Sequence, residues 1–229
     1  MVVHKINFPF YGIILISSLI IGCLYIYKNL KKEGIDNKFI FYYIVMFIPF
    51  ALVIGLMYTN INSMIHGEGS KLGFSSYGGL IGTVLAAFIF EFIVPSNKKY
   101  LKYTVLSLPL IYGISKLGCS IAGCCYGIPY QGIFKIKYID IFDEYVFPIQ
   151  IVEVITNLLL FVILNKNKNN KNIVYYTFIS AALIKFGLDF LRYEHLNILL
   201  SSNQIVSIII IVVTIIMLVI KCNKKENKI

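Results

Sequence analysis

Five charged side chains stand where a chain this apolar should not carry them: Lys116, Glu153, Lys185, Asp189 and Arg192 all fall inside or at the edge of long hydrophobic stretches. At the centre of a membrane helix such a group costs at least about 2.5–3.5 kcal/mol, so it faces a partner or a water-filled cavity. The spacing groups them. Lys185 and Asp189 are four apart and Asp189 and Arg192 three apart, which on a helix puts all three on one stripe. Gln150 and Glu153 share a stripe in the same way. Carboxylates orient cations and cations grip phosphates, so this set is suited to an anionic lipid headgroup. Two plainer readings stay open at this point: an ion cluster that ties helices together with Arg192 snorkelling to the interface, and interhelical hydrogen bonding by Gln150 and Glu153.

A second constellation is "KLGCSIAGCCYGIPY", Lys116 to Tyr130, which holds three of the five cysteines, Cys119, Cys124 and Cys125, while Cys23 and Cys222 lie apart. Cys-x4-Cys-Cys matches no standard zinc or iron–sulfur framework and has no second cysteine cluster to complete four ligands, so no metal is expected. The thiols then have three readings: small fillers of close helix contacts, a disulfide on an oxidising side, or a nucleophile at Cys124 or Cys125 activated by Lys116. The third places Cys124 eight residues beyond Lys116 on one continuous helix, with Gly127 and Pro129 as the break. The glycines of this stretch, Gly118, Gly123 and Gly127, and those of "SSYGGLIG", Gly78, Gly79 and Gly82, permit close helix packing or expose backbone amides to an anion. Tyr11 and Tyr77 precede such glycines and otherwise read as interfacial belt residues. His4, His66 and His195 have no partner at metal spacing and read as surface histidines, and Glu91 as an interfacial carboxylate.

The elements that must position these groups follow from the apolar runs. Of 229 residues, 58% are hydrophobic and only 14% charged, against about 25% charged in soluble domains. Seven runs are long enough to cross a hydrocarbon layer of about 30 Å, at roughly 8–27, 39–59, 75–95, 103–124, 147–165, 173–193 and 203–221. The expected fold is therefore all-α: a bundle of about seven transmembrane helices in one integral membrane domain, 1–229. Residues 128–147 make a short extracytoplasmic connection and 222–229 a basic tail. The first run lacks the basic start and small-x-small cleavage site of a signal peptide and is expected to stay.

The net charge of +10 does not read as nucleic-acid binding, because the lysines sit in short runs between apolar segments. Lys28, Lys31, Lys32, Lys38, Lys98, Lys99, Lys102, Lys166, Lys168, Lys171, Lys221, Lys224, Lys225 and Lys228 follow the odd-numbered segments; Lys5, Lys71, Lys135 and Lys137 lie in the opposite connections. Fourteen against four orients the N-terminus outside and the C-terminus in the cytoplasm. That orientation brings the polar ends of six segments to the outer leaflet.

In order and spacing, "FPFYG", "SYGGLIG", "KLGCSIAGCCYGIP", "FPIQIVE", "KFGLDFLR" and "NQIVS" resemble the prolipoprotein diacylglyceryl transferases over about residues 8 to 220. The resemblance implies a seven-helix enzyme of the bacterial cytoplasmic membrane. Such an enzyme moves the diacylglyceryl group of phosphatidylglycerol onto the lipobox cysteine of a preprolipoprotein and releases glycerol 1-phosphate. No cofactor is expected. By the same resemblance, Tyr11 is the first-helix tyrosine, Tyr77, Gly78 and Gly79 stand at the family's His-Gly-Gly, Lys116 at its essential arginine, Cys119 at an asparagine, Cys124 at a glutamate and Gly127 at the closing glycine of the signature. Pro148, Gln150 and Glu153 match "HPSQLYE", Lys185 and Asp189 match a sixth-helix arginine and glutamate, and Arg192 is retained. The implied catalytic set is Tyr77, Lys116, Lys185 and Cys124; the implied substrate contacts are Tyr11, Gly78, Gly79, Cys119, Gly127, Gln150, Glu153, Asp189 and Arg192. Lysine keeps the charge of arginine but not its two-pronged phosphate grip, and tyrosine, with a reference pKa of about 10, is a poorer proton acceptor than histidine. Two other functions stay open: a thiol-dependent lipid transferase or redox enzyme using Cys119, Cys124 and Cys125, and a non-catalytic lipid-binding protein on the same scaffold.

Overall fold

The computed structural model describes residues 2–3, 9–65, 67, 69, 73–96, 98–138 and 144–226, the side chains of 2, 3, 9 and 224–226 excepted. His4, Lys5, Phe8, His66, Lys71 and Lys228, and residues 139–143 of the expected outer connection, lie outside these. Seven α-helices account for most of the described chain: α1 (Pro9–Lys32), α2 (Asn37–Ile65), α3 (Ser76–Ile93), α4 (Lys99–Ala122), α5 (Ile149–Lys166), α6 (Ile173–Asp189) and α7 (Ser202–Glu226). Two-residue strands, β1 (Val2–Val3) and β2 (Lys137–Tyr138), pair in parallel, and a 3-10 turn spans Tyr193–Asn197.

Each helix coincides with one of the seven apolar runs. Six are long and apolar enough to cross a membrane; α6, at 17 residues and carrying Lys185 and Asp189, is the exception. The outward faces are lined with large apolar side chains, Phe41 and Phe92 among them, Phe92 at 88% exposure. In water such a surface would drive association, whereas hydrocarbon tails solvate it. The chain is a multi-pass helical membrane protein. It divides into two compact units, Met1–Leu15 with Gly113–Ile229, and Ile16–Tyr112, so that α1 and α4 each contribute to both.

In the Ile16–Tyr112 unit, α2 and α3 pack along a seam of small residues. A Cβ added at Gly82 would lie 2.9 Å from the Phe50 carbonyl carbon, and one at Gly79 would lie 2.9 Å from the Phe74 ring. Ser75 caps α3 by accepting from the Gly78 amide at 3.2 Å, and the Gly79 amide donates to the Ser75 carbonyl at 2.9 Å. The packing reading of these glycines accounts for them. At the other end, Glu91 accepts from the backbone amides of Ser96 at 2.8 Å, Lys98 at 2.7 Å and Tyr100 at 3.1 Å, so it fixes the turn into α4 rather than lying idle at the interface. Glu33 accepts from the Tyr103 hydroxyl and pairs with Lys99 at 3.3 Å.

In the other unit, α6 packs along α7 and against α5. The chain after α4 is folded back by short backbone bridges, Gly127 with Arg192 and both Pro129 and Ile136 with Val146. Ile136, Tyr138 and Val146 form a small core beneath Tyr126.

Candidate functional site

Three helix ends and one loop of the Met1–Leu15 and Gly113–Ile229 unit build the polar centre. The end of α4 brings Lys116, the start of α5 brings Gln150 and Glu153, and the end of α6 brings Lys185, Asp189 and, just past it, Arg192. Pro148, which has no amide to donate, sits immediately before α5 and marks its start. All five charged groups are at most 6% exposed. Glu153 stands at the middle: one carboxylate oxygen lies 3.3 Å from the Lys116 ammonium, and the other lies 2.7 Å from the Arg192 guanidinium and 3.4 Å from Lys185. Asp189 pairs with Lys185 at 3.0 Å and Arg192 Nε at 3.1 Å. The stripe expected of α6 is thus realised as ion pairs at i,i+4 and i,i+3.

Burying charge is expensive, and even a well-made ion pair does little better than break even against apolar packing of the same volume. Stability alone therefore does not account for five such groups. Three cations against two carboxylates leave one net positive charge in the cluster. That balance suits an anion.

Further partners lock the cluster. The Ser201 hydroxyl donates to Asp189, the Ser201 amide donates to Gln204 Oε1 at 2.9 Å, and His195 Nε2 lies 2.8 Å from that same oxygen. His195 also rests on the Phe190 ring, centroids 4.6 Å apart, and is half-buried rather than a plain surface histidine. Gln150, fully buried, donates to the Cys124 carbonyl at 2.9 Å and so fastens the loop after α4 to the start of α5.

That loop departs from the expected continuous helix. Helix α4 ends at Ala122, not at Gly127, because Gly123 adopts φ +65° and lets the Cys124 amide reach back to the Cys119 carbonyl at 3.2 Å, a Schellman closure. Cys124 therefore does not share a helical face with Lys116. Cys125 follows at φ +56°, a left-handed conformation uncommon for any residue but glycine. The three sulfurs of Cys119, Cys124 and Cys125 lie within 4.8 Å of one another, and all five cysteines carry free thiols. Hydrogen bonds from the Cys119 and Cys124 thiols, and then the charges of Lys116 and Arg192, hold the Cys125 thiol below its ordinary range.

Glycine permits close approach at two places here. A Cβ at Gly127 would lie 3.0 Å from the Leu191 carbonyl oxygen, and the Gly127 to Arg192 bridge depends on that approach. A Cβ at Gly118 would lie 3.2 Å from the Tyr11 ring, so the first turn of α1 packs closely on the end of α4. Lys116, Cys119, Cys124, Gly127, Gln150, Glu153, Lys185, Asp189, Arg192 and Tyr11 thus all belong to this unit. Tyr77, Gly78 and Gly79 stand in the first turn of α3 in the Ile16–Tyr112 unit.

The helices and their buried ion network define a polytopic membrane protein with a polar centre inside the apolar bundle of one unit. Residues 1–220 match the family model of the prolipoprotein diacylglyceryl transferases, and the chain belongs to that family. It is 28% identical to phosphatidylglycerol--prolipoprotein diacylglyceryl transferase of Clostridioides difficile (strain 630) over 98% of this chain and 95% of the relative. The corresponding enzyme of Finegoldia magna is 27% identical over 94% of this chain and 92% of its own length. Phosphatidylglycerol--prolipoprotein diacylglyceryl transferase 2 of Clostridium perfringens is 30% identical over 61% of this chain and 59% of its own length.

Proposed function

We propose that the protein transfers the diacylglyceryl group of phosphatidylglycerol to the cysteine thiol of a preprolipoprotein lipobox, at the outer face of a bacterial cytoplasmic membrane. In this reaction the acceptor thiol gives up its proton to solvent and its sulfur attacks the diacylglycerol carbon bonded to the phosphate oxygen; a C–S bond forms, that C–O bond breaks, and glycerol 1-phosphate leaves with an additional negative charge. Lys116, Lys185 and Arg192 hold the phosphate and stabilise the charge that grows on it, which is where preorganised cations act most strongly. Glu153 and Asp189 position those cations, Ser201 and Gln204 brace Asp189 and the start of α7, and Gln150 sets the loop that follows Lys116. Tyr11 and Gly118 shape the wall beside Lys116. For Tyr77, assistance in removing the thiol proton is implied by its place in the family pattern. Cys119 and Cys124 occupy positions of an asparagine and a glutamate in that pattern, and the transfer as written makes no use of their thiols. The orientation rests on the lysine distribution, fourteen against four.

The observation that carries this reading is the buried cluster with one net positive charge, made by Lys116, Lys185 and Arg192 around Glu153 and Asp189. The test is to incubate purified protein in micelles with phosphatidylglycerol labelled in its acyl chains and a lipobox peptide. A thioether-linked diacylglyceryl peptide, with glycerol 1-phosphate released in equal amount, is expected. Binding of the lipid without any peptide product would refute transfer and favour the lipid-binding alternative.

A further inference from the structure

The thiol triad is the one group of metal-ligating side chains among the described residues that the proposed transfer leaves without work. Its geometry is set by backbone, not by chance approach of flexible side chains. Cys119 sits on the last turn of α4, Gly123 turns the chain in the left-handed conformation, and Cys125 repeats that conformation two residues later. Two left-handed residues within three positions, one of them not glycine, carry a cost of about 1–3 kcal/mol at the second. The turn delivers Cys124 and Cys125 beside Cys119. The Gln150 to Cys124 hydrogen bond and the Gly127 to Arg192 bridge hold it there.

A disulfide needs two sulfurs and would strand the third. Three mutually adjacent sulfurs are what a soft cation needs. With all separations at the 4.8 Å limit, a central ion would sit about 2.8 Å from each sulfur, so inward shifts of about 0.5 Å reach the zinc–thiolate distance of about 2.3 Å. Lys116 lies one helical turn before Cys119 and Arg192 is bridged to Gly127, so cationic side chains stand near the negative charge that three thiolates leave on a divalent ion. Oxygen-preferring cations such as magnesium and calcium are excluded by an all-sulfur donor set.

We propose that Cys119, Cys124 and Cys125 form a three-thiolate site for a soft divalent cation of the zinc class, with its remaining coordination position open to water or an added ligand. The site is independent of the transfer reading, since metal uptake is read without lipid or peptide. The spacing gave no reason to expect a metal, since Cys-x4-Cys-Cys matches no standard framework and lacks a second cysteine cluster for a fourth ligand; the turn at Gly123 brings the three sulfurs together, and three protein ligands with one open position need no second cluster.

The full-length protein, reduced, stripped of metal and held in micelles, is titrated with cadmium while sulfur-to-cadmium charge-transfer absorption is followed, and zinc retained after dialysis is measured by elemental analysis. One equivalent of either ion per chain is expected. Cys119→Ser, Cys124→Ser and Cys125→Ser should each weaken uptake at least about tenfold, while Cys23→Ser and Cys222→Ser leave it unchanged. As a check that needs no variant, zinc should slow alkylation of the three thiols in the wild-type protein but not of exposed Cys222. The proposal is overturned if the reduced wild-type protein takes up no stoichiometric ion, if absorption persists in the triple serine variant, or if protein taken from membranes without reductant carries a disulfide within the triad.

Discussion

Replacing Glu153 with glutamine tests whether the buried cluster is held by that one carboxylate. Glu153 is 1% exposed and faces Lys116, Lys185 and Arg192 at 3.3, 3.4 and 2.7 Å. Glutamine keeps the shape but removes the charge, so three cations are left facing Asp189 alone, and the net charge of the cluster rises from one to two. Breaking a buried ion pair from one side costs about 3–5 kcal/mol, because the surviving charge stays desolvated. For a chain of this length each kcal/mol moves the midpoint by about 2–4 °C, so Glu153→Gln should lower Tm by about 6–20 °C. The chain has no tryptophan, so the assay is helical circular dichroism in micelles at a fixed heating rate. Adding Lys116→Met to Glu153→Gln removes one uncompensated cation and should recover part of the loss. A fall of less than about 2 °C for Glu153→Gln, or a double variant that falls by the sum of the two single losses, would refute the reasoning.

Three other outcomes follow from single contacts. Gly82→Ala places a methyl 2.9 Å from the Phe50 carbonyl carbon and should destabilise by about 1–3 kcal/mol, read as a lowered Tm in the same assay. Gly123→Ala forces alanine to φ +65° at a cost of about 1–2 kcal/mol; it should lower Tm and weaken cadmium uptake by the triad together. Glu33 is held below the ordinary carboxylate range by the Tyr103 hydroxyl and, after it, by Lys99 and Lys102. A carboxylate depressed in the folded state contributes stability that is present above its unfolded pKa, about 4.3, and is lost as the pH falls below that. Because Glu33 is about a third exposed, the contribution is under about 1 kcal/mol. Glu33→Gln should therefore cost a few degrees at neutral pH and flatten part of the Tm decline in acid.

Much of this architecture was legible in the residues themselves. Apolar runs of membrane length located all seven helices, because in hydrocarbon each helix must satisfy its own backbone and needs no partner to be recognisable. The i,i+3 and i,i+4 spacing of Lys185, Asp189 and Arg192 foretold their ion pairs for the same local reason. The end of α4 was legible too, in Gly123, yet Gly127 and Pro129 are the more conspicuous breakers; Gly127 instead permits the bridge to Arg192. What could not be read is whatever depends on distant segments meeting. Glu153 touching Lys116, Ser201 reaching Asp189, and Gln150 holding the Cys124 carbonyl join residues 12 to 37 positions apart, and no periodicity records them. The convergence of three sulfurs escaped for a related reason, since it depends on two left-handed residues that only one glycine announces.

The cations around Glu153 are proposed to bind and stabilise the departing phosphate. The most direct measurement of this is the rate of diacylglyceryl peptide formation by Lys116→Met relative to wild type, at saturating phosphatidylglycerol and at a temperature where both are folded. Loss of one preorganised cation at the developing charge predicts a fall of about a hundredfold or more, with Lys116→Arg retaining most of the rate. A Lys116→Met rate within a few-fold of wild type would contradict the account.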